Sequence, residues 1–396
     1  MTDNVLVAGV GMVPFTKPGA GPTYLEMGSD AVRLALADAG IGYGQLQMAF
    51  AGYVYGDTSC GQGVLYRVGR TALPVFNVNN ACATGSSALY LARAAVQSGQ
   101  VECALALGFE QMQPGATRSN FPDRPIPRGD VLPIQDALCG DAGEIPRNLV
   151  TFGGAGREHM RQYGTRMSTF AAIRAKASRH AANNPLALFR KVVTTEDVMN
   201  DQVMWEGVMT RMMACPPTCG AAAAVVCSPA FARRHGLRTD VAILAQAMVT
   251  DPQESFEPPT MKGFVGSYMA QRASRAVYEQ AGVDPRDIPV VELHDCFAHN
   301  ELLSYESLGL CPKGGAEQFV LDGDNTYGGR VVTNPSGGLL CKGHPLGATG
   351  LAQCYELTHQ LRGTADQRQV EGARLALQHN LGLGGACVVT LYERLS

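Results

Sequence analysis

Leu73-Pro74-Val75-Phe76-Asn77-Val78 runs directly into Asn79-Asn80-Ala81-Cys82-Ala83-Thr84-Gly85-Ser86-Ser87-Ala88-Leu89. The first six residues are mostly apolar and bounded by turn formers, which predicts a strand over Val75–Val78. The second group predicts a tight turn and then a helix of small residues over Ser86–Gln97. Cys82 falls where that helix begins. Unpaired amide groups and the helix dipole at such a point favour a thiolate, so Cys82 is a candidate nucleophile. A free cysteine has a pKa of about 8.5, so this position predicts more thiolate than usual at neutral pH. The plain alternative is a small buried apolar residue.

Outward from this unit the same alternation continues. Val5–Val10 and Met48–Tyr55 are predicted strands, Tyr24–Ala39 a helix stopped by Gly40, and Cys103–Leu107 another strand. Strand, helix and strand in turn imply a buried, mostly parallel sheet with helices on its faces. The second half of the chain repeats the plan. Val241–Met248, Ile288–Leu293, Ala373–Gln378 and Ala386–Tyr392 are strand-like, and Ser274–Ala281 and Gly350–Leu361 are helical. Ala276-Val277 echoes Ala31-Val32, and Ala348-Thr349-Gly350 echoes Ala83-Thr84-Gly85, at offsets of roughly 245 to 265 residues. Between the halves, prolines at 122, 125, 127, 133 and 146 and a helical run over Thr169–Asn183 mark an insertion. Insertions at the ends of parallel strands commonly build binding sites. The expected organisation is therefore residues 1–115 with 221–240 as the first half, 116–220 as the insertion and 241–396 as the second half.

Composition narrows the function. The 396 residues carry a formal net charge of -3 with no long basic run, which gives nucleic-acid binding no electrostatic support. The 46 glycines exceed the usual share of about 7%, so tight turns and close backbone approaches are expected. The 12 cysteines are scattered, several within apolar stretches, as expected of reduced thiols in a cytoplasmic protein. The first residues lack the pattern of a secretory leader, no apolar run approaches ~20 residues, and Arg394-Leu395-Ser396 is not a peroxisomal tripeptide.

Four further motifs bear on chemistry. Gly9-Val10-Gly11-Met12-Val13-Pro14 lacks the third glycine and the following helix of a dinucleotide fingerprint. His294-Asp295-Cys296-Phe297-Ala298-His299 follows a predicted strand, where open α/β sheets place their chemistry. It allows acid/base work by His294 and Cys296, a metal site with His299, or an incidental cysteine; no second Cys/His pair at zinc spacing follows. Cys341-Lys342-Gly343-His344-Pro345-Leu346-Gly347 lacks the Gly-Lys-Ser/Thr order of a phosphate loop and instead holds His344 among small residues, as a base or as a structural histidine. Gln378-His379-Asn380-Leu381-Gly382-Leu383-Gly384-Gly385 joins two late strands, where glycine amides are free to hold an oxyanion or simply to turn the chain.

Taken together, these segments resemble the thiolase superfamily over nearly the whole chain, and most of all the thiolase half of the sterol-carrier-protein-type thiolases. Gly52-Tyr53-Val54-Tyr55-Gly56-Asp57, Gly108-Phe109-Glu110, Glu158-His159-Met160 and Asp322–Gly385 carry the likeness. His294-Asp295-Cys296-Phe297 marks that branch, because most thiolases carry Asn-Glu-Ala-Phe there. Gly343-His344-Pro345 is shared across thiolases, and the usual final Cys-x-Gly is replaced by His379-Asn380-Leu381-Gly382-Leu383-Gly384-Gly385. The resemblance implies an α/β thiolase fold, with two similar βαβαβαββ halves in a five-layer αβαβα core and a loop-domain insertion in the first half. It implies Cys82 as the acylated nucleophile, His344 as its base, Cys296 as the second acid/base and His294 in one oxyanion hole. The amide of Cys82 with that of Gly382 or Gly384 forms the other. His159 and Met160 are implied contacts of coenzyme A, which is a co-substrate; no metal and no permanently bound cofactor are expected. The implied activity is 3-oxoacyl-CoA thiolysis by a homodimer or dimer of dimers. The alternatives are biosynthetic condensation, a thiolase-like retro-aldolase, and a non-catalytic acyl-CoA or lipid-binding protein. The chain ends at Ser396 with no sterol-carrier lipid-binding domain expected.

Overall fold

The computed structural model describes residues 4–115, 119, 121–140 and 145–395. The expected boundary after residue 115 falls against residues outside this set. Ten strands form the main sheet of the described residues. They are β1 (Val5–Met12), β2 (Met48–Gly52), β3 (Val75–Val78), β4 (Cys103–Glu110), β5 (Gly220–Cys227), β6 (Val241–Val249), β7 (Val290–Glu292), β8 (Val332–Thr333), β9 (Leu375–Gly382) and β10 (Ala386–Arg394). Seven helices matter below: α1 (Tyr24–Ala39), α2 (Thr84–Gln97), α3 (Arg147–Tyr163), α4 (Met167–Ala182), α5 (Ser267–Ala281), α6 (Ala298–Ser307) and α7 (Thr349–Arg362).

The strand order is β8-β7-β9-β10-β6-β1-β5-β4-β2-β3. Each half has the same order counted outward from the middle, and the halves join where β1 pairs antiparallel with β6 through Val5–Ile243 and Leu6–Ala242. The repeat suggested by sequence is thus a repeat of topology. The sheet is mixed rather than mostly parallel. β2 pairs parallel with β3 and β4, and β7 with β8 and β9. The ladders β4–β5, β5–β1, β9–β10 and β10–β6 are antiparallel. The cause at β9–β10 is a short loop, Leu383–Gly385, which joins only antiparallel neighbours.

Alternate side chains of each strand enter different layers. Ala104, Ala106, Ala222, Ala224 and Val226 face a central cluster that also takes Leu89 of α2, Leu351 and Leu357 of α7, and Ala376 and Tyr392 of the second half. Leu105, Leu107, Ala221, Ala223 and Val225 face an outer cluster with Ala31, Val32 and Ala35 of α1. On the other side α5 joins a third cluster with the insertion helices. Helix, sheet, helix pair, sheet and helix make the five layers. β5 was not predicted as a strand, because four successive alanines favour helix on local propensity. Here both its faces are buried, and only small side chains fit between the layers.

The two halves meet closely at Gly347. A Cβ there would lie 2.4 Å from the Phe109 carbonyl and 2.7 Å from that of Gly52, and one at Gly108 would lie 2.2 Å from the Gly347 carbonyl. Gly347→Ala is expected to lower the urea midpoint, at a cost of about 1–3 kcal/mol for forced overpacking. Gly44→Ala, where an added Cβ meets nothing within 4 Å, should stay within about 0.5 kcal/mol of the parent.

Candidate active site

Four chain segments converge on Cys82. The first is its own turn. Ala81 adopts a left-handed φ of 48°, strained for a residue with a side chain. Local bonds hold it there: the Ala81 amide donates to Asn79 Oδ1 at 3.1 Å, and Thr84 Oγ1 donates to the Ala81 carbonyl at 2.6 Å. The strained turn precedes α2 and presents the half-buried Cys82 to the groups around it.

The second segment is the end of β9 with the loop that follows it. Asn380 Nδ2 donates to the Cys82 carbonyl at 3.0 Å and lies 3.1 Å from His294 Nδ1. A carbonyl only accepts, so the amide nitrogen faces both partners, and an amide nitrogen only donates. His294 Nδ1 must therefore accept, and the ring proton sits on Nε2. His294 is a neutral hydrogen-bond donor. Burial, with the neighbouring His344 and His379, holds it well below the usual histidine range.

The third segment carries His344. Its Nδ1 lies 2.7 Å from Thr349 Oγ1, which itself donates to the Pro345 carbonyl at 3.0 Å. That hydroxyl has one hydrogen and has spent it, so His344 Nδ1 is the donor. Nε2 is left with a bare lone pair, buried and without a hydrogen-bond partner among the described residues. Burial, and then the Lys342 ammonium, push the His344 pKa down to about 3. Gly343, with φ at 116°, packs against Thr218, where a Cβ would come 2.6 Å from Cγ2. Thr218 Oγ1 in turn accepts from the His344 amide at 3.1 Å.

One ring nitrogen of each histidine and the Cys82 sulfur all lie within 4.8 Å of one another, and the two rings meet edge to face at 5.0 Å. A metal would need a bare nitrogen from both histidines. The Asn380 contact puts a proton on the free nitrogen of His294, so the trio suits a developing oxyanion better than a cation. His299, offered by sequence as a third ligand, aims Nε2 at the Val208 carbonyl 2.9 Å away instead.

The thiol itself departs from the sequence expectation. Burial, and then the nearby Glu110 carboxylate, push the Cys82 pKa up to about 12. The amides of Leu383 and of Cys82 itself, directed at the sulfur, pull the other way and do not prevail. Desolvation of the charged form outweighs the helix terminus here. The resting pair is a neutral thiol beside a neutral imidazole. Of the loop amides, it is Leu383, between the two expected glycines, that addresses Cys82. Gly384 is exposed with open space around it. Gly382 instead lets the loop press onto the Cys82 turn, where a Cβ would come 2.3 Å from the Asn80 carbonyl.

Cys296 is buried at the end of the fourth segment, and burial raises its thiol well above the usual range, with Cys215 and Cys82 as the next causes. Its carbonyl accepts from the Cys215 amide at 2.9 Å, so the strap 214–218 leaving the insertion touches both the Cys296 and His344 segments. Asp295 accepts from the amides of Leu339 at 2.7 Å and Leu340 at 3.3 Å, tying the His294–Cys296 motif to the short helix that leads to His344. Sequence reasoning missed Asn380, Leu383, Asp295 and Cys215 as site components. His159 is not a free ligand: Nδ1 contacts Thr165 Oγ1 at 2.8 Å and Nε2 contacts Glu306 at 3.0 Å in the packing of α3 on α6. No ring nitrogen is left for a nucleotide, and Met160 packs partly buried on the adjoining core. A cavity of about 770 Å³, walled by Tyr53, Tyr55, Val78, Asn79, Met112 and Phe121 among others, opens beside the nucleophile turn.

The chain is an α/β protein in which a cysteine is grouped with a bare imidazole nitrogen and fixed donors. The chain belongs to the thiolase family: models described as thiolase, N-terminal domain, and thiolase C-terminal domain-like match residues 5–205 and 257–392. It is 50% identical to sterol carrier protein 2 of Oryctolagus cuniculus over 396 residues, covering 98% of this chain and 72% of that protein. It is 32% identical to an acetyl-CoA acetyltransferase of Methanothermobacter thermautotrophicus, covering 94% of this chain and 95% of that one. The structure of human mitochondrial 3-ketoacyl-CoA thiolase superposes with a TM-score of 0.74 over all of both chains, at 18% identity, which speaks for the fold. No helix among the described residues is long and apolar enough to cross a membrane.

Asn380→Ala removes the bond that orients His294 and the bond to the Cys82 carbonyl, and is expected to lower kcat about 10²–10³-fold, the usual loss for an oxyanion donor, with an unchanged circular dichroism spectrum. Wild-type turnover in a folded variant contradicts the assignment. Alkylation of Cys82 by iodoacetamide should keep rising with pH through 9, because the thiol pKa is raised; a plateau below pH 7 contradicts the neutral pair.

Proposed function

We propose that this chain is a 3-oxoacyl-CoA thiolase, an acyl-CoA C-acyltransferase that works through an acyl-Cys82 intermediate. The observation that carries the reading is the neutral Cys82 thiol grouped within 4.8 Å with a ring nitrogen each of His344, whose Nε2 is bare, and His294, whose Nε2 carries its proton. His344 takes the thiol proton as Cys82 attacks the 3-oxo carbon. The oxyanion formed there accepts from the amides of Cys82 and Leu383. Collapse breaks the bond between C2 and C3 and leaves an acyl thioester on Cys82. The departing enolate, its oxygen held by His294 Nε2–H, takes a proton from the Cys296 thiol. Coenzyme A then gives its thiol proton to the Cys296 thiolate and attacks the acyl-enzyme, releasing the shortened acyl-CoA and returning the proton from His344 to Cys82. Each charged intermediate forms in a buried site, where fixed donors contribute much of the rate.

The reading includes coenzyme A as co-substrate, no permanently bound cofactor, a cytoplasmic homodimer or dimer of dimers, and a role in fatty-acid, branched-acyl or sterol side-chain degradation. Claisen condensation uses the same groups in reverse, so the supply of substrates sets the direction. The intact thiol and base argue against a retro-aldolase or a passive lipid carrier.

Cys82→Ala is expected to abolish thiolysis of acetoacetyl-CoA in a coupled spectrophotometric assay. Cys296→Ala should lower kcat by about 10²–10⁴-fold, the range for a lost general acid/base, yet still exchange label between acetyl-CoA and CoA through Cys82. Turnover by Cys82→Ala sinks the nucleophile assignment, and normal thiolysis by Cys296→Ala sinks the two-cysteine scheme.

A further inference from the structure

Glu110 ends β4, is 1% exposed, and has no cationic partner among the described residues. Backbone amides satisfy it instead. Oε1 accepts from the Tyr55 amide at 2.9 Å, and Oε2 accepts from Val54 at 3.1 Å and from Gly347 at 3.0 Å. The first two donors belong to the wall of the cavity beside the nucleophile turn. The third lies three residues beyond His344, on the other half of the molecule. Gly347 is packed close to the carbonyls of Gly52 and Phe109, so the loop that carries Gly347 lies tight against the end of β4 where Glu110 sits.

A buried carboxylate left without a counter-ion is costly. Burial pushes its pKa up to about 7, against the pull of the three amides. The titratable groups that face it are the Cys82 thiol and the Cys219 thiol at the start of β5; its charge raises both. A packing role alone would be met by an apolar residue.

We propose that Glu110 is a positioning residue for the reaction, its carboxylate pinning the His344 loop of one half against the Cys82 turn of the other. This rests on the reading of Cys82 and His344 as nucleophile and base. The pin sets where Nε2 stands relative to the sulfur. The same charge adds to burial in keeping the thiol protonated until His344 removes its proton, so Cys82 stays less reactive toward stray electrophiles.

Glu110→Gln keeps the shape, removes the charge and turns an N–H₂ group toward N–H donors. Two measurements on the folded variant test the idea: kcat and KM for acetoacetyl-CoA thiolysis, and the pH profile of Cys82 alkylation by iodoacetamide between pH 7.5 and 10. The expected result is a fall in kcat of about 10²-fold, the usual effect of a ~1 Å misplacement, with KM within about twofold. Alkylation should be faster at a given pH, because removing a negative charge lowers the thiol pKa. Wild-type kcat, or a lower kcat with an unmoved alkylation profile, overturns the proposal. Should Glu110→Gln not fold, Glu110→Asp decides, since it keeps the charge but is too short to hold all three amides. Reduced kcat with a near-parental alkylation profile supports the pin, and wild-type kcat refutes it. Cys82→Ala, assayed alongside, separates the two ideas: if it turns over, the nucleophile reading fails, whereas a dead Cys82→Ala with a fully active Glu110→Gln fails Glu110 alone.

Discussion

The amide of Asn380 donates twice, once to the Cys82 carbonyl and once to His294 Nδ1, and the chemistry of the site follows from that pair of bonds. One bond holds the Cys82 turn of the first half against the end of β9 in the second. The other fixes which nitrogen of His294 carries its proton. If the ring turned over, the site would present a second lone pair where the account needs a donor. The nearest alternative, a metal held by the same three side chains, fails for the same reason.

Around this contact the site is largely buried, and its ionisable groups are pushed toward neutrality. Cys82 is raised to about 12 and His344 lowered to about 3. Such a site does not store a thiolate. It keeps a proton on sulfur and a lone pair beside it, and charge appears only as bonds change. The scaffold makes that possible by close approach. Gly343, Gly347 and Gly382 let three loops meet backbone to backbone, and Asp295 and Glu110 tie the loops through main-chain amides rather than through cations. The topology explains why these loops meet at all. The halves share one strand order, and their antiparallel join at β1 and β6 brings α2 and α7 together in the middle layer.

Much of this was legible in the sequence. The apolar runs at Val5, Met48 and Cys103, and their counterparts in the second half, mark the layers because these inner strands bury both faces, whereas Val75–Val78 is a half-exposed edge strand. Cys82, His294, Cys296 and His344 stood out because each interrupts a small-residue or strand-end pattern. Less legible was anything set by contact across the chain. Asn380 meets Cys82, and Glu110 meets Gly347, only after both halves have folded, and no local pattern marks either. The expected thiolate failed for a related reason. The helix start was read correctly, but the burial that outweighs it comes from segments more than two hundred residues away. His159 resembled a ligand by position, yet the packing of α3 on α6 had already taken both its nitrogens. The alanine run of β5 hid a strand because propensity favoured helix and only the tertiary layers demanded small residues.

The central claim is that Cys82, neutral at rest, becomes the acyl carrier when His344 removes its proton. Incubation with acetyl-CoA, an acid quench and peptide mass mapping test it directly. The account predicts one acetyl group on the peptide containing Cys82, lost on adding free CoA and absent from His344→Ala over the same interval. Acetylation on Cys296 or Cys215 with Cys82 unmodified, or equally fast labelling of Cys82 without His344, would contradict it.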